Sequence, residues 1–385
     1  MAITDNMPGM SVNRKENHML ELRKKLSNYQ EVFYLLFLLP MTGMHSMGIN
    51  SDDRIYLYVF AVATLFLLLK MAVTDFTWRE ILIMSVFAAL LGANFLRNGE
   101  KTLILTAMGI FGAKNVNLDK VMKYALWEKA VLTVGTLTLA ATGVIENERM
   151  LLPKNGEYFE IPCYGYYHPN MAFANIFMIL LLAIIVYGDK LKWYAYVLGT
   201  MIMLGTYWVF MCRTGLVVWA VLCFMMLGYR IMSHIHWEKG YLYFFTAIPA
   251  VLMILTLVIP LEARKNAVLA EKIHTLLTGR IALINKVYDD VWGLVLGHIP
   301  VRSFDSMYFT TVYNYGWVLL ILYLVAYTVG IRYSIRKGQY YIAIALGATA
   351  VYGYVELLPL SVIWNLPMIY LAQALFRERM VVGHE

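Results

Sequence analysis

Arg213, in the tetrapeptide Cys-Arg-Thr-Gly, interrupts an apolar stretch that runs from 193 to 229. A guanidinium at bilayer depth costs at least about 2.5 kcal/mol, so it calls for a partner or a water-filled cavity, and in such a cavity it binds anions. The competing reading is a tight turn, for which Thr-Gly is suited, with the side chain snorkelling to headgroups. Glu356 follows another long apolar run, and reads either as an intramembrane functional carboxylate or as a water-boundary residue beside Pro359. Tyr164 to Asn170 spells YGYYHPN and leads directly into an apolar run. Pro169 near the helix entry and Asn170 as a possible N-cap are helix-start signals, and the free N–H groups of such a helix end suit a phosphate; the competing reading is that His168 and Asn170 merely end a loop. Arg280 follows the turn residues Thr278 and Gly279, and Asp305 stands just before a further apolar run. Singly these two are solvated loop charges; on one face with Arg213 they can border one cavity.

Other chemistries lack their residues. His234 and His236 have no accompanying carboxylate or cysteine cluster, so no metal site is expected. Cys163, Cys212 and Cys223 form no CxxC pair and are too few for a disulfide framework. There is no GxGxxG, Walker loop or Gly-x-Ser-x-Gly elbow, which argues against nucleotide-driven work, and no cofactor is implied. The net charge of +7 has no long basic run with interleaved aromatics outside apolar stretches, so no nucleic-acid partner is expected.

The elements that must position these residues are membrane helices. Of 385 residues 60% are hydrophobic and 15% charged, against roughly 45–50% and about 25% in soluble domains, which excludes a soluble enzyme. Twelve apolar runs lie near 31–49, 55–73, 80–96, 102–113, 125–145, 169–187, 193–211, 214–229, 241–260, 308–330, 339–357 and 360–376. The expected fold is therefore all-α, with about 12 transmembrane helices and a long, partly helical external loop at 261–307. With a cytoplasmic N-terminus, 20 of the 32 Lys and Arg residues fall on the inner side and 12 on the outer. The positive-inside rule then places both termini in the cytoplasm and 146–168 and 261–307 outside. Residues 1–30 read as a cytoplasmic arm without a cleavage site, amphipathic through Leu20, Leu22 and Leu26. Residues 31–385 form one transmembrane domain. Within the external loop, Ile281, Ile284, Tyr288, Val291 and Val295 are spaced as one apolar stripe of a short helix between Gly279 and Gly297.

The order HPN, CRTG, TGRIALINKVYDDVWGLVLG and DSMYFTTVYNYG, over roughly 165–330, resembles the Wzy polymerase and O-antigen ligase superfamily. The later YGYVELLPLSVIWN is similar to the late spans of its Gram-positive members. The resemblance implies a GT-C-like membrane glycosyltransferase in the plasma membrane, a capsular or exopolysaccharide polymerase. It would act on undecaprenyl-diphosphate-linked oligosaccharide without metal, with a flippase and a chain-length regulator as partners. Arg213 matches the arginine of the family's Ser-Arg-Gly-like turn, although Cys212 replaces the serine and Thr214 intervenes before Gly215. Arg280 matches the arginine opening the external-loop helix. Asp305 stands where many ligases carry histidine before the next span. Carried over, Arg213 and Arg280 stabilise the departing diphosphate and Asp305 deprotonates the acceptor hydroxyl. His168, Asn170, Tyr308 of the DSMYFTTVYNYG motif and Glu356 contact substrate.

Two alternatives stay open: an O-antigen-type ligase, differing in acceptor, and a lipid-linked oligosaccharide flippase. A flippase should carry charges deep in both halves. The first five runs read as nearly free of central ionisable residues, which favours a one-sided enzyme. Asn365, in the last run, is either a site residue or a helix-packing donor.

Overall fold

The computed structural model describes residues 21 and 23–376 apart from 155–156, 267, 269 and 272–279, with the backbone alone at 153, 154 and 280. Most of the expected 1–30 arm and residues 377–385 lie outside the described residues. The chain folds as α1 (Gln30–Ser46), α2 (Arg54–Val73), α3 (Trp78–Asn98), α4 (Thr102–Gly112), α5 (Leu118–Ala141), a hairpin β1 (Arg149–Lys154) and β2 (Glu157–Pro162), α6 (Pro169–Tyr187), α7 (Trp193–Phe210), α8 (Arg213–His234), α9 (Glu238–Tyr243), α10 (Ile248–Lys265), α11 (Arg280–Asn285), α12 (Met307–Arg336), α13 (Tyr340–Val355) and α14 (Leu371–Leu375). The hairpin is the only β-sheet among the described residues.

Local signals set the helix ends. Thr77 and Glu80 close a capping box on α3, which stops at the left-handed Gly99, and Asn117 caps α5 through Lys120 N–H. Six helical stretches are long and apolar enough to cross a membrane: Arg54–Val73, Trp78–Asn98, Pro169–Lys190, Arg213–His234, Glu238–Lys265 and Met307–Arg336. In the fifth, α9 and α10 run together through a 3-10 turn, Phe244–Ala247. The perimeter is apolar: Tyr58, Leu68, Trp208 and Phe224 are exposed. The centre is α13, buried from Ile342 to Ala350 and packed against α8, α10 and α12. An apolar outside around an apolar centre is what lipid as solvent selects.

Two expected spans take another form. The run 360–376 is not one helix: 3-10 turns occupy Leu358–Leu360, Val362–Trp364 and Leu366–Tyr370, followed by the five-residue α14. Pro359 and Pro367 remove donors that a continuous α-helix needs. Irregular backbone survives here because it is buried and bonded by side chains. Thr106 Oγ1 donates to Leu360 O at 2.9 Å and accepts from Val362 N at 3.0 Å; Tyr323 Oη and Asn365 Nδ2 both donate to Pro359 O, at 2.9 and 3.0 Å. The stretch runs on from Glu356, the C-cap of α13. At its far end Tyr370 Oη donates to Asp119 Oδ1 at 2.7 Å, at the start of α5.

The run 308–330 is broken as well. Gly316 has φ 83° inside α12, and Met307 Sδ lies 3.5 Å from Tyr323 Oη, whereas a straight helix would separate them by about 24 Å. Residues 307–315 are therefore a short limb folded back on 317–336. The bend is held by Trp317 N–H donating to Leu294 O at 2.9 Å and Asn94 Nδ2 to Asn314 O at 3.1 Å. A side chain at Gly316 would meet the Val295 carbonyl.

Candidate functional site

α6 and α8 start at the same end of the bundle, because α7 returns the chain and joins α8 through a two-residue turn. That turn has Met211 in the left-handed region (φ 50°) and Cys212 buried. At α6 the N-cap is His168 rather than Asn170, its Nδ1 accepting from Asn170 N–H at 3.1 Å, and Pro169 occupies the first turn. Both helix N-termini meet the end of α13, where Glu356 is its 7% exposed C-cap. Glu356 Oε1 accepts from Asn170 Nδ2 at 3.1 Å and from Thr214 Oγ1 at 3.3 Å. Arg213 precedes Thr214 as the first residue of α8. The structure thus brings His168, Asn170, the Arg213–Thr214 turn and Glu356 into one place, with two positive helix ends directed at it.

The preceding loop is tied down. Gly165 (φ 80°) packs against Ile145 and Thr136, and the Gly48 turn closes on its backbone. Tyr166 Oη donates to Ser46 O at 2.7 Å, and burial pushes its phenol up to about 12, so it remains a donor through neutral pH. Cys163 is likewise pushed up, by burial first and by Glu148 second, which keeps an inert thiol.

Asp305 is exposed at the rim of a pocket of about 30 Å³ lined also by Thr256, Pro260, Ile281, Ile284 and Tyr354. That volume holds a water or two, not a sugar ring. Tyr354 and Val355 line it and directly precede Glu356, so Asp305 and Glu356 border the same end of α13. Arg280 opens α11, whose next residue, Ile281, lines this pocket; the Arg280 side chain lies outside the described residues. Tyr308 is not among the residues that meet here: it is fully buried, its hydroxyl donating to Ala350 O at 2.9 Å. Asn365 is also fully buried, donating to Tyr327 Oη at 2.5 Å as well as to Pro359 O, the packing arrangement.

The loop helix is shorter than the spacing predicts. α11 ends at Asn285 and a 3-10 turn holds Tyr288–Val291. Ile281, Ile284, Tyr288 and Val291 are buried as one stripe, but Val295 is 66% exposed. Arg264 of α10 anchors the loop: it donates to both carboxylate oxygens of Asp289 at 2.9 and 3.0 Å and to Asn285 O, over the Tyr288 ring.

The expectation that the first five spans are nearly free of central ionisable residues does not hold inside the bundle. Lys129 of α5 and Lys70 of α2 are fully buried. Lys129 Nζ donates to Asn175 Oδ1 at 3.0 Å and Ser46 Oγ at 3.3 Å and stands 5.1 Å from the Trp364 ring. The neighbouring Glu128 accepts from Thr42 Oγ1 at 2.5 Å, and His45 packs on Tyr56 and Trp364 with its Nδ1 buried and unbonded among the described residues. This polar cluster lies just beneath Asn170, since Asn175 is on the same helix and also donates to His45 O at 3.1 Å. The signal for it was the Glu-Lys pair inside the 125–145 run. Lys70 Nζ bonds Lys114 O, and Lys114 bridges to Glu80 at 2.6 Å at the opposite end. Charge placement therefore does not separate an enzyme from a flippase.

Among the described residues no His, Cys, Asp or Glu cluster could hold a metal. Comparison with family models, with curated proteins and with solved structures finds no match to this chain.

Proposed function

We propose that this protein is a plasma-membrane polysaccharide polymerase that joins undecaprenyl-diphosphate-linked oligosaccharide repeat units on the outer face, both termini being cytoplasmic. The single observation that carries the reading is the meeting of Asn170 and Thr214, at two helix N-termini, on the buried Glu356 carboxylate. A diphosphate leaving group brings its own activation, so the site needs charge stabilisation and a base rather than a nucleotide. In this reading Arg213 and Arg280 take the diphosphate in forked geometry, Glu356 fixes the Arg213 turn, and Asp305 at the pocket rim receives the acceptor proton. His168 and Asn170 shape the donor end. A flippase and a chain-length regulator would be its partners.

A second reading, a lipid-linked oligosaccharide flippase, draws on the buried Lys129 cluster beneath the site. Purified protein in liposomes, given one synthetic lipid-linked repeat unit with chelator and no nucleotide, separates the two. Lengthened product supports the polymerase; translocation without lengthening replaces it with the flippase.

A further inference from the structure

At the end of the bundle opposite Glu356, a groove of about 420 Å³ runs between α7 and α8, lined by Trp193, Tyr196, Met201, Cys223, Leu227 and Arg230 among others. Its sides are open to the perimeter, for Trp193, Met201 and Leu227 are exposed. From Cys223 to Arg230 it extends about 10 Å along the helix, the length of half an acyl chain. Trp219 Nε1 donates to Thr200 Oγ1 at 3.1 Å between the two helices, so the polar groups at the groove's closed end are already satisfied.

Its mouth is polar and positive. Arg230 Nη2 donates to Leu191 O at 2.5 Å, and the guanidinium lies 5.1 Å from the Tyr196 ring. Among the described residues no carboxylate pairs with it, so its charge is open to an anionic acceptor. The nearby carboxylate, Asp189, accepts instead from Tyr341 Oη at 2.7 Å. The Tyr196 hydroxyl is buried beside it, within the influence of the same guanidinium. Lys190 and Lys192 are exposed on the same rim, and Trp193 and Tyr194 are exposed there too, at the level where aromatic side chains meet headgroups.

We propose that this groove holds one acyl chain of an anionic phospholipid whose phosphate rests on Arg230. An apolar slot with one fork-shaped cation at its mouth and further lysines around it matches a tail joined to a negative headgroup. A zwitterionic lipid with the same tails would fill the slot but meet the basic rim with no net charge. The site does not depend on the polymerase reading.

The test is native mass spectrometry of delipidated, detergent-purified full-length protein titrated with dioleoyl phosphatidylglycerol or dioleoyl phosphatidylcholine. Phosphatidylglycerol should bind about tenfold or more tightly than phosphatidylcholine, and Arg230→Gln should abolish that preference. Met201→Trp, which fills the slot and keeps the arginine, should weaken phosphatidylglycerol retention by a similar factor. Equal affinity for the two lipids, or an undiminished preference in Arg230→Gln, overturns the proposal. Should Arg230→Gln fail to purify as a monodisperse protein, Met201→Trp decides, with unchanged retention as the overturning result.

Discussion

Glu356 Oε1 accepts from side chains on two different helices, so Asn170 and Thr214 are expected to be energetically coupled although 44 positions separate them in the chain. A thermal-unfolding double-mutant cycle with Asn170→Leu and Thr214→Val should give an interaction of about 0.5–3 kcal/mol. Strict additivity would mean that the carboxylate does not join them. Lys129→Met should behave differently. It removes a buried cation held by neutral acceptors and leaves Asn175 Oδ1 and Ser46 Oγ facing a thioether. Unfolding should become easier by about 1–3 kcal/mol, and a neutral or stabilised variant would show that the cluster is not structural. The members of the Glu356 site were legible in the sequence, because charge and helix-start chemistry stand out in apolar surroundings. Their mutual contact was not, since nothing in spacing says that residues 170, 214 and 356 share an atom. Lys129 escaped for the opposite reason: beside Lys120 and Lys123 it counts as one more inner-side charge, and only packing reveals it inside α5.

Helix-scale patterns carry most of the architecture. The runs at 80–96 and 169–187 become helices near the expected limits, closed by Thr77, Gly99 and His168, whereas α5 starts at Leu118 behind the Asn117 cap, well before the expected 125. Periodicity fails where a polar backbone is satisfied by distant side chains. The 3-10 course of 358–370 depends on Thr106, Tyr323 and Tyr327, and the bend at Gly316 depends on Leu294 and Asn94. Gly316→Ala should therefore destabilise the protein by about 1–3 kcal/mol or more, through a left-handed φ and a collision with the Val295 carbonyl. Gly135→Ala, in α5 with open space around its Cα, is the control and should be neutral or stabilising by up to about 1 kcal/mol. Equal thermal shifts in the two variants would contradict a folded-back α12.

At the scale of the whole molecule, the chain is a helical bundle with an apolar perimeter and one end that gathers Asn170, Arg213, Asp305 and Glu356. Its orientation is proposed from basic residues. Single cysteines in a background lacking Cys163, Cys212 and Cys223 should react with an impermeant maleimide from outside at the exposed position 160 and not at the exposed position 337. The reverse would turn the site to the cytoplasm. Polymerisation at this end of the bundle is tested by the elongation rate of a synthetic undecaprenyl-diphosphate repeat unit by purified Arg213 variants. Arg213→Ala should slow elongation by about 10²–10³, the loss expected on removing one charge-stabilising donor, and Arg213→Lys should recover only part of it. Arg149→Ala, in the exposed hairpin, should elongate at the wild-type rate. Wild-type elongation by Arg213→Ala would contradict the account and remove this end of the bundle as the site of chemistry.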